Sequence, residues 1–216
     1  MEPHHPFADK ISNEATASLP AIEFRGPICV VDTEAAVEAA VGELRRAPVI
    51  GFDTETRPSF RAGVIFRVAL LQLATPERVF LFRLNRIALP RPLLALLEDP
   101  AIKKVGVAVD GDLRALHKLR RFREQGFVEL QQLAPQWGIE EKSLRKLSAI
   151  VLQQRVSKAQ RLSNWEAQSL TPKQALYAAT DAWVCLRIYE ELMHTPKIAK
   201  AAASIAAPTV CRTAKG

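Results

Sequence analysis

Val49-Ile50-Gly51-Phe52 leads straight into Asp53-Thr54-Glu55, and that junction limits what the chain can fold into. A short apolar run of this kind reads as a buried strand. On a strand, residues i and i+2 point to the same face. Asp53 and Glu55 therefore project side by side from an element that is otherwise buried. Adjacent anions there repel and lose hydration, which is costly unless something positive lies between them. A hard divalent cation such as Mg²⁺ takes oxygen ligands and meets that need. The plain alternative is a strand end in solvent carrying two hydrated acids. The rest of the chain decides between them.

Residues 1–26 carry little periodic pattern beyond a short helix over Ala8–Ala17 and read as an N-terminal extension. Ile28–Val31 is a β-branched strand, and Asp32 or Thr33 caps a helix over Glu34–Arg46. Strands follow at Pro48–Asp53, Val64–Leu73 and Arg78–Phe82. Thr75-Pro76-Glu77 is a turn signal, so the last two form an antiparallel hairpin. Gln72, inside an apolar strand, is expected to be hydrogen-bonded. A helix over Arg91–Glu98 precedes a strand at Lys103–Val109. Asp110 then caps a helix over Gly111–Phe122, and helices follow at Glu129–Trp137 and Lys142–Leu152. Thr171-Pro172 opens a long helix to about Met193, with Pro at its first position. Residues 195–216 read as a mobile tail. Hairpin strands followed by strand–helix units make an α/β domain over residues 27–194, a mixed sheet flanked by helices.

Two further acid signals lie on that frame. The strand Lys104–Val109 runs into Asp110-Gly111-Asp112, where Asp110 reads as a helix cap and Asp112 is free to turn toward the sheet edge. On the long helix, Tyr177 and Asp181 are four apart and share a mostly apolar face. Each signal alone has a bland explanation. Together, Asp53, Glu55, Asp112 and Asp181 supply enough carboxylates for two Mg²⁺ or Mn²⁺ ions at the ~3.5–4 Å spacing used in phosphodiester hydrolysis, and Tyr177 is placed to orient a water.

In these three motifs the chain resembles the DEDD-type 3′–5′ exonucleases of the tyrosine subgroup, the family of ribonuclease D and the Werner syndrome exonuclease. Asp53-Thr54-Glu55 matches the first motif, Val107–Asp112 the second, and Tyr177–Asp181 the third. Leu162-Ser163-Asn164-Trp165 with Leu170-Thr171 resembles the Werner-like branch. Three motifs in order, about 60 residues apart on suitable elements, are far more specific than any one. The resemblance implies a ribonuclease H-like fold and the release of nucleoside 5′-monophosphates from DNA or RNA 3′ ends. It implies metal ligands at Asp53, Glu55, Asp112 and Asp181, with Tyr177 positioning the water. Thr54, Lys158, Arg161 and Trp165 are candidate substrate contacts, although Trp165 serves equally well as a core anchor. Arg57 and Phe60 lie just past the first motif, and Arg114, Lys118 and Arg121 form a possible phosphate-facing stripe.

Composition agrees with this reading. A net charge of +7 suits a polyanionic partner. No apolar run reaches the ~18 residues of a membrane helix. The three cysteines, Cys29, Cys185 and Cys211, have no metal-ligand spacing and read as free thiols of a cytoplasmic protein. His4-His5 forms no ligand pattern. No P-loop or dinucleotide fingerprint is present, so no nucleotide cofactor is expected. Two other functions stay open: a nucleic-acid-binding module on the same fold without catalysis, whose signature is a missing carboxylate, and a dedicated hydrolase of very short RNA, distinguished by the size of its cleft.

Overall fold

Strand β2 (Val49–Thr56) continues three residues past its expected end at Asp53, so both acids of the first motif lie within it. The computed structural model describes residues 6–61 and 63–198; His4-His5, Cys211 and the expected tail beyond residue 198 lie outside the described residues. β2 is central in a six-stranded sheet with the order β1-β4-β3-β2-β5-β6. The other strands are β1 (Ile28–Val31), β3 (Val68–Ala74), β4 (Val79–Arg83), β5 (Lys103–Gly106) and β6 (Phe127–Glu129). β2–β3 and β3–β4 are antiparallel, and the other pairs are parallel. β3 begins at Val68 rather than Val64, leaving 57–61 and 63–67 outside the sheet.

Alternation along the strands divides the core. Ile50, Phe52, Leu71, Leu73, Phe80 and Phe82 face α2 (Glu34–Leu44), the short α3 (Leu84–Ile87), α4 (Arg91–Leu97) and α5 (Val109–His117). Leu70, Ala74, Val79 and Leu81 face the long helix α8 (Pro172–His194) through Ala178, Ala179 and Ala182. Helix α7 (Leu144–Val151) packs on the same side through Leu147 and Ile150, against Val184 and Ile188 of α8. Thr33, Ser143 and Thr171 cap their helices by accepting backbone N–H groups, and Thr171 with Gln174 completes a capping box.

Four expectations are corrected. α5 starts at Val109, so Asp110 lies inside the helix and is not its cap; the cap position is Ala108, in the left-handed region at φ 61°. The helix expected from Glu129 is preceded by the short strand β6, then continues as α6 (Leu130–Leu133) and a 3₁₀ turn at Ala134–Trp137. Residues 6–26 are built into the body. They contain α1 (Asn13–Ser18), Ile22 and Phe24 are buried, and the Phe24 N–H donates to Thr180 Oγ1 at 3.1 Å. Ala21 also forms an isolated bridge with Arg155. At the other end, Thr195 accepts the Trp137 indole N–H at 2.8 Å and the Ile198 N–H donates to Gln136 at 3.2 Å, so 195–198 are held rather than loose.

Gly51 fixes the distance between α8 and the sheet. A Cβ built there would lie 1.9 Å from the Ala182 carbonyl oxygen. Neither backbone can yield without moving an element. Gly51→Ala is expected to cost about 3 kcal/mol or more through overpacking, lowering Tm by roughly 6–12 °C. A thermal melt within about 2 °C of the parent would show that the sheet gives way locally.

Candidate active site

Each half of the acid cluster has its own anchor. Asp53 and Glu55 stand on one face of β2, two residues past the Gly51 contact. Asp181 precedes Ala182 on α8, so the same contact sets the approach of the two elements. Carboxylate oxygens of Asp53, Glu55 and Asp181 lie within 4.8 Å of one another. Asp112 reaches the group from the opposite side. β5 pairs with β2 at Val49, Ile50 and Gly51, and beyond them the turn into α5 brings Asp112 beside β2. Its Oδ1 accepts from the Thr54 hydroxyl at 2.5 Å. Thr54 points away from Asp53 and Glu55 by the strand's alternation. Its hydroxyl is a support for Asp112.

The electrostatics show what the cluster lacks. Burial, then the charges of Asp112, Glu55 and Asp181, push the Asp53 carboxyl well above its ordinary range. Burial and the neighbouring acids raise Glu55 to about 9. Burial raises Asp181 to about 7, against a lowering effect of the Tyr177 hydroxyl that faces it. Burial raises Asp112 to about 6, partly opposed by the Thr54 hydrogen bond. None of the ion pairs among the described residues involves any of the four. Four oxygen-donor groups, three of them within reach of one centre and none with a protein cation, fit a hard divalent ion. The Cys185 thiol, one turn beyond Asp181, is held up by burial and by these acids and stays protonated.

Tyr177 lies one turn before Asp181, with its ring 6.1 Å from that of Trp165 and tilted by 34°. Trp165 is fully buried. Both faces of the indole are enclosed in protein, so it fixes Tyr177 and does not stack on a nucleobase. Lys158 and Arg161 are exposed on the connection between α7 and α8. A cleft of about 450 Å³ opens against Tyr177 and Asp181, walled by Ile22, Glu23, Ser157 and Gln160. The N-terminal segment thus lines the approach to the site.

Two residues near the site gave no usable local signal. Glu129, on β6, accepts the Ala108 N–H at 3.1 Å and the Val109 N–H at 2.7 Å. It therefore holds the left-handed turn that aims α5, and with it Asp112, from 20 residues away. Gln72 is the cross-strand partner of Asp53. It is fully buried, and neither amide atom has a hydrogen-bond partner among the described residues, contrary to the expectation of a bonded core amide.

The family model described as 3′-5′ exonuclease matches residues 28–195. The chain belongs to the 3′–5′ exonuclease family. It is 37% identical over 186 residues to the mouse bifunctional 3′-5′ exonuclease/ATP-dependent helicase WRN, covering 81% of this chain and 13% of that one. It is 29% identical over 195 residues to an Arabidopsis thaliana 3′-5′ exonuclease, covering 83% and 68%. The crystal structure of Escherichia coli RNase D superposes with a TM-score of 0.69 at 27% identity, over 76% of this chain and 44% of that one. The sheet and its flanking helices are those of a ribonuclease H-like exonuclease domain.

Two predictions follow from the site. A carboxyl with a raised folded-state pKa contributes stability that is full below its unfolded value near ~4 and is lost as pH rises through the folded value. In chelator, the contribution of Glu55 and Asp181 should therefore fall as pH climbs toward about 7 and then about 9. Excess Mg²⁺ should raise Tm more near pH ~8.5 than near pH ~6, because only the ionised acids bind it; an equal or smaller shift at the higher pH would contradict this. Glu129→Gln keeps one acceptor oxygen and sets an amide donor against the backbone N–H that the other oxygen served. It should cost about 2 kcal/mol, whereas a parental melt would show that water replaces the carboxylate.

Proposed function

We propose that this chain removes nucleoside 5′-monophosphates from the 3′ ends of DNA or RNA, with residues 27–194 as the catalytic unit. The supporting observation is the convergence of Asp53, Glu55 and Asp181 within 4.8 Å, with no cationic partner, beside a tyrosine held in place. Asp53, Glu55, Asp112 and Asp181 would hold two ions, Mg²⁺ or Mn²⁺. When bound, such ions lower the pKa of an attacking water and neutralise charge on the leaving oxygen.

The chain's own residues do the positioning. Tyr177 sits against Asp181, and its hydroxyl positions the water attacking the terminal phosphorus. Trp165 keeps the tyrosine ring from turning away. The O–P bond from water forms as the P–O3′ bond breaks, and the departing 3′ oxygen takes up a proton, leaving a new 3′-hydroxyl. Thr54 and Glu129 keep Asp112 in place during that exchange. Lys158 and Arg161, on the outer rim, meet backbone phosphates. No helix among the described residues is long and apolar enough to cross a membrane, and the free thiols of Cys29 and Cys185 suit a cytoplasmic location. All four carboxylates of the pattern are present, which favours catalysis over a binding-only module.

The test uses end-labelled single strands with Mg²⁺ or Mn²⁺. Mononucleotides should appear from the 3′ end and a circular strand should survive. Excess EDTA or Asp53→Asn should abolish release. Tyr177→Phe should lower kcat by ~10²–10⁴ with little change in strand affinity. A folded Tyr177→Phe protein with parental kcat would remove the tyrosine from the mechanism, and cleavage of the circle would overturn the exonuclease reading itself.

A further inference from the structure

Most of the large exposed hydrophobic side chains among the described residues lie at one place. Among the described residues, six large hydrophobic side chains are exposed, and Phe60 (82%), Ile65 (80%), Leu162 (60%) and Val64 (41%) are four of them. Phe60, Val64 and Leu162 border one groove of about 490 Å³, and Ile65 lies beside it in the same loop. Arg57, Arg61 and Phe66 line that groove, whereas no acid does. The volume falls in the ~300–1,000 Å³ range of ligand clefts.

Its walls lead to the two halves of the acid cluster. The loop wall starts at Arg57, two residues after Glu55. The opposite wall, Leu162–Asn164, ends at Trp165, against which Tyr177 packs. Both walls are braced. The Arg57 guanidinium lies 4.7 Å above the Phe66 ring and 3.5 Å from Glu166 Oε2. Arg83 and Arg86 donate to the carbonyls of Ala167 and Gln168, fastening the second wall to the sheet. An aromatic face and two arginines, of which Arg57 alone is in an ion pair among the described residues, attract an anionic partner. They suit a polyanion that offers flat apolar faces, which is an unpaired nucleic-acid strand.

We propose that this groove grips the unpaired strand upstream of the scissile bond, with a base stacked on Phe60 and phosphates met by Arg57 and Arg61. The proposal rests on the exonuclease reading and gives it a substrate class: 3′ ends with a single-stranded stretch several nucleotides long, in preference to dinucleotides and blunt duplexes. Stacking is tolerant of sequence, because every base has a π-face.

The test is binding of labelled oligonucleotides by fluorescence anisotropy, on the full chain carrying Asp53→Asn so that nothing is consumed. The probes are a dinucleotide, a single strand of about 12 nucleotides and a blunt duplex of the same length, within the ~4–16-nucleotide sites of single-strand binders. Adding Phe60→Ala should weaken the single strand by roughly 5- to 100-fold and lower its advantage over the dinucleotide by the same factor. Phe60→Trp should retain the advantage. Arg61→Ala should reduce the slope of log Kd against log salt by about 0.7, a readout that does not depend on stacking. The proposal is overturned if Phe60→Ala binds the single strand like the parent, which would leave the groove to a protein partner. It is also overturned if dinucleotide and long strand weaken alike, or if the duplex weakens as much as the strand. Hydrolysis is scored separately. A parent chain that cleaves dinucleotides and longer strands equally well loses this proposal and keeps the exonuclease reading. One that cleaves nothing yet binds the long strand through Phe60 does the reverse.

Discussion

The site depends on a backbone contact between a helix and a strand. Ala182 presents its carbonyl to Gly51 at a distance that leaves no room for a Cβ. The small faces of Ala178, Ala179 and Ala182 let α8 settle onto the sheet at that depth. Asp181 then lies across from Asp53 and Glu55. A helix standing a side chain further out would leave three hydrated acids on a wide cleft. The close approach instead buries Asp181, half-buries Asp53 and Glu55, and raises their pKa values. This opposes folding at neutral pH, and the apolar packing along the rest of α8 offsets it.

Buried charge is handled in two opposite ways. The fully buried Lys104 amine donates to the carbonyls of Leu96 and Asp99, and burial lowers its pKa to about 8. Arg83 donates to the Ala167 carbonyl. These cations serve the backbone and are paired with no acid among the described residues. The buried carboxylates have no cation. A fold that already has internal cations but keeps them away from its internal anions leaves those anions for a ligand. Gln72 extends the pattern: it is a buried amide with unused hydrogen-bonding capacity directly across the strand pair from Asp53.

How much of this the sequence carried follows from the range of each interaction. The D-x-E junction, the Thr75-Pro76 hairpin and the Thr171-Pro172 helix start are local patterns with local causes, and each appears where it was expected. The spacing of Tyr177 and Asp181 placed both on one helical face. What escaped depends on partners distant in sequence. Asp110 had the chemistry of a cap, but the N–H groups at that helix start are taken by Glu129, and the residue at the cap position is an alanine with positive φ. Trp165 looked available to a substrate because sequence does not show the protein that encloses it. β6 has three residues, too few for alternation to register. Ile22 and Phe24 pack into the body although the segment around them has no period.

The end of α8 has a practical bearing on how such a protein can be handled. The helix runs on from Asp181 to His194, and the turn beyond it is pinned to Trp137 and Gln136. At 1.5 Å per residue, Thr195 lies roughly 20 Å along the axis from the acids. That far end is pinned by its own hydrogen bonds, so a dye or surface tether attached at residue 197 would stand clear of the acid cluster and of the groove beside Phe60. Single molecules could then be immobilised with their strand-processing face turned to solution, and strand shortening followed without the anchor entering the path of the nucleic acid.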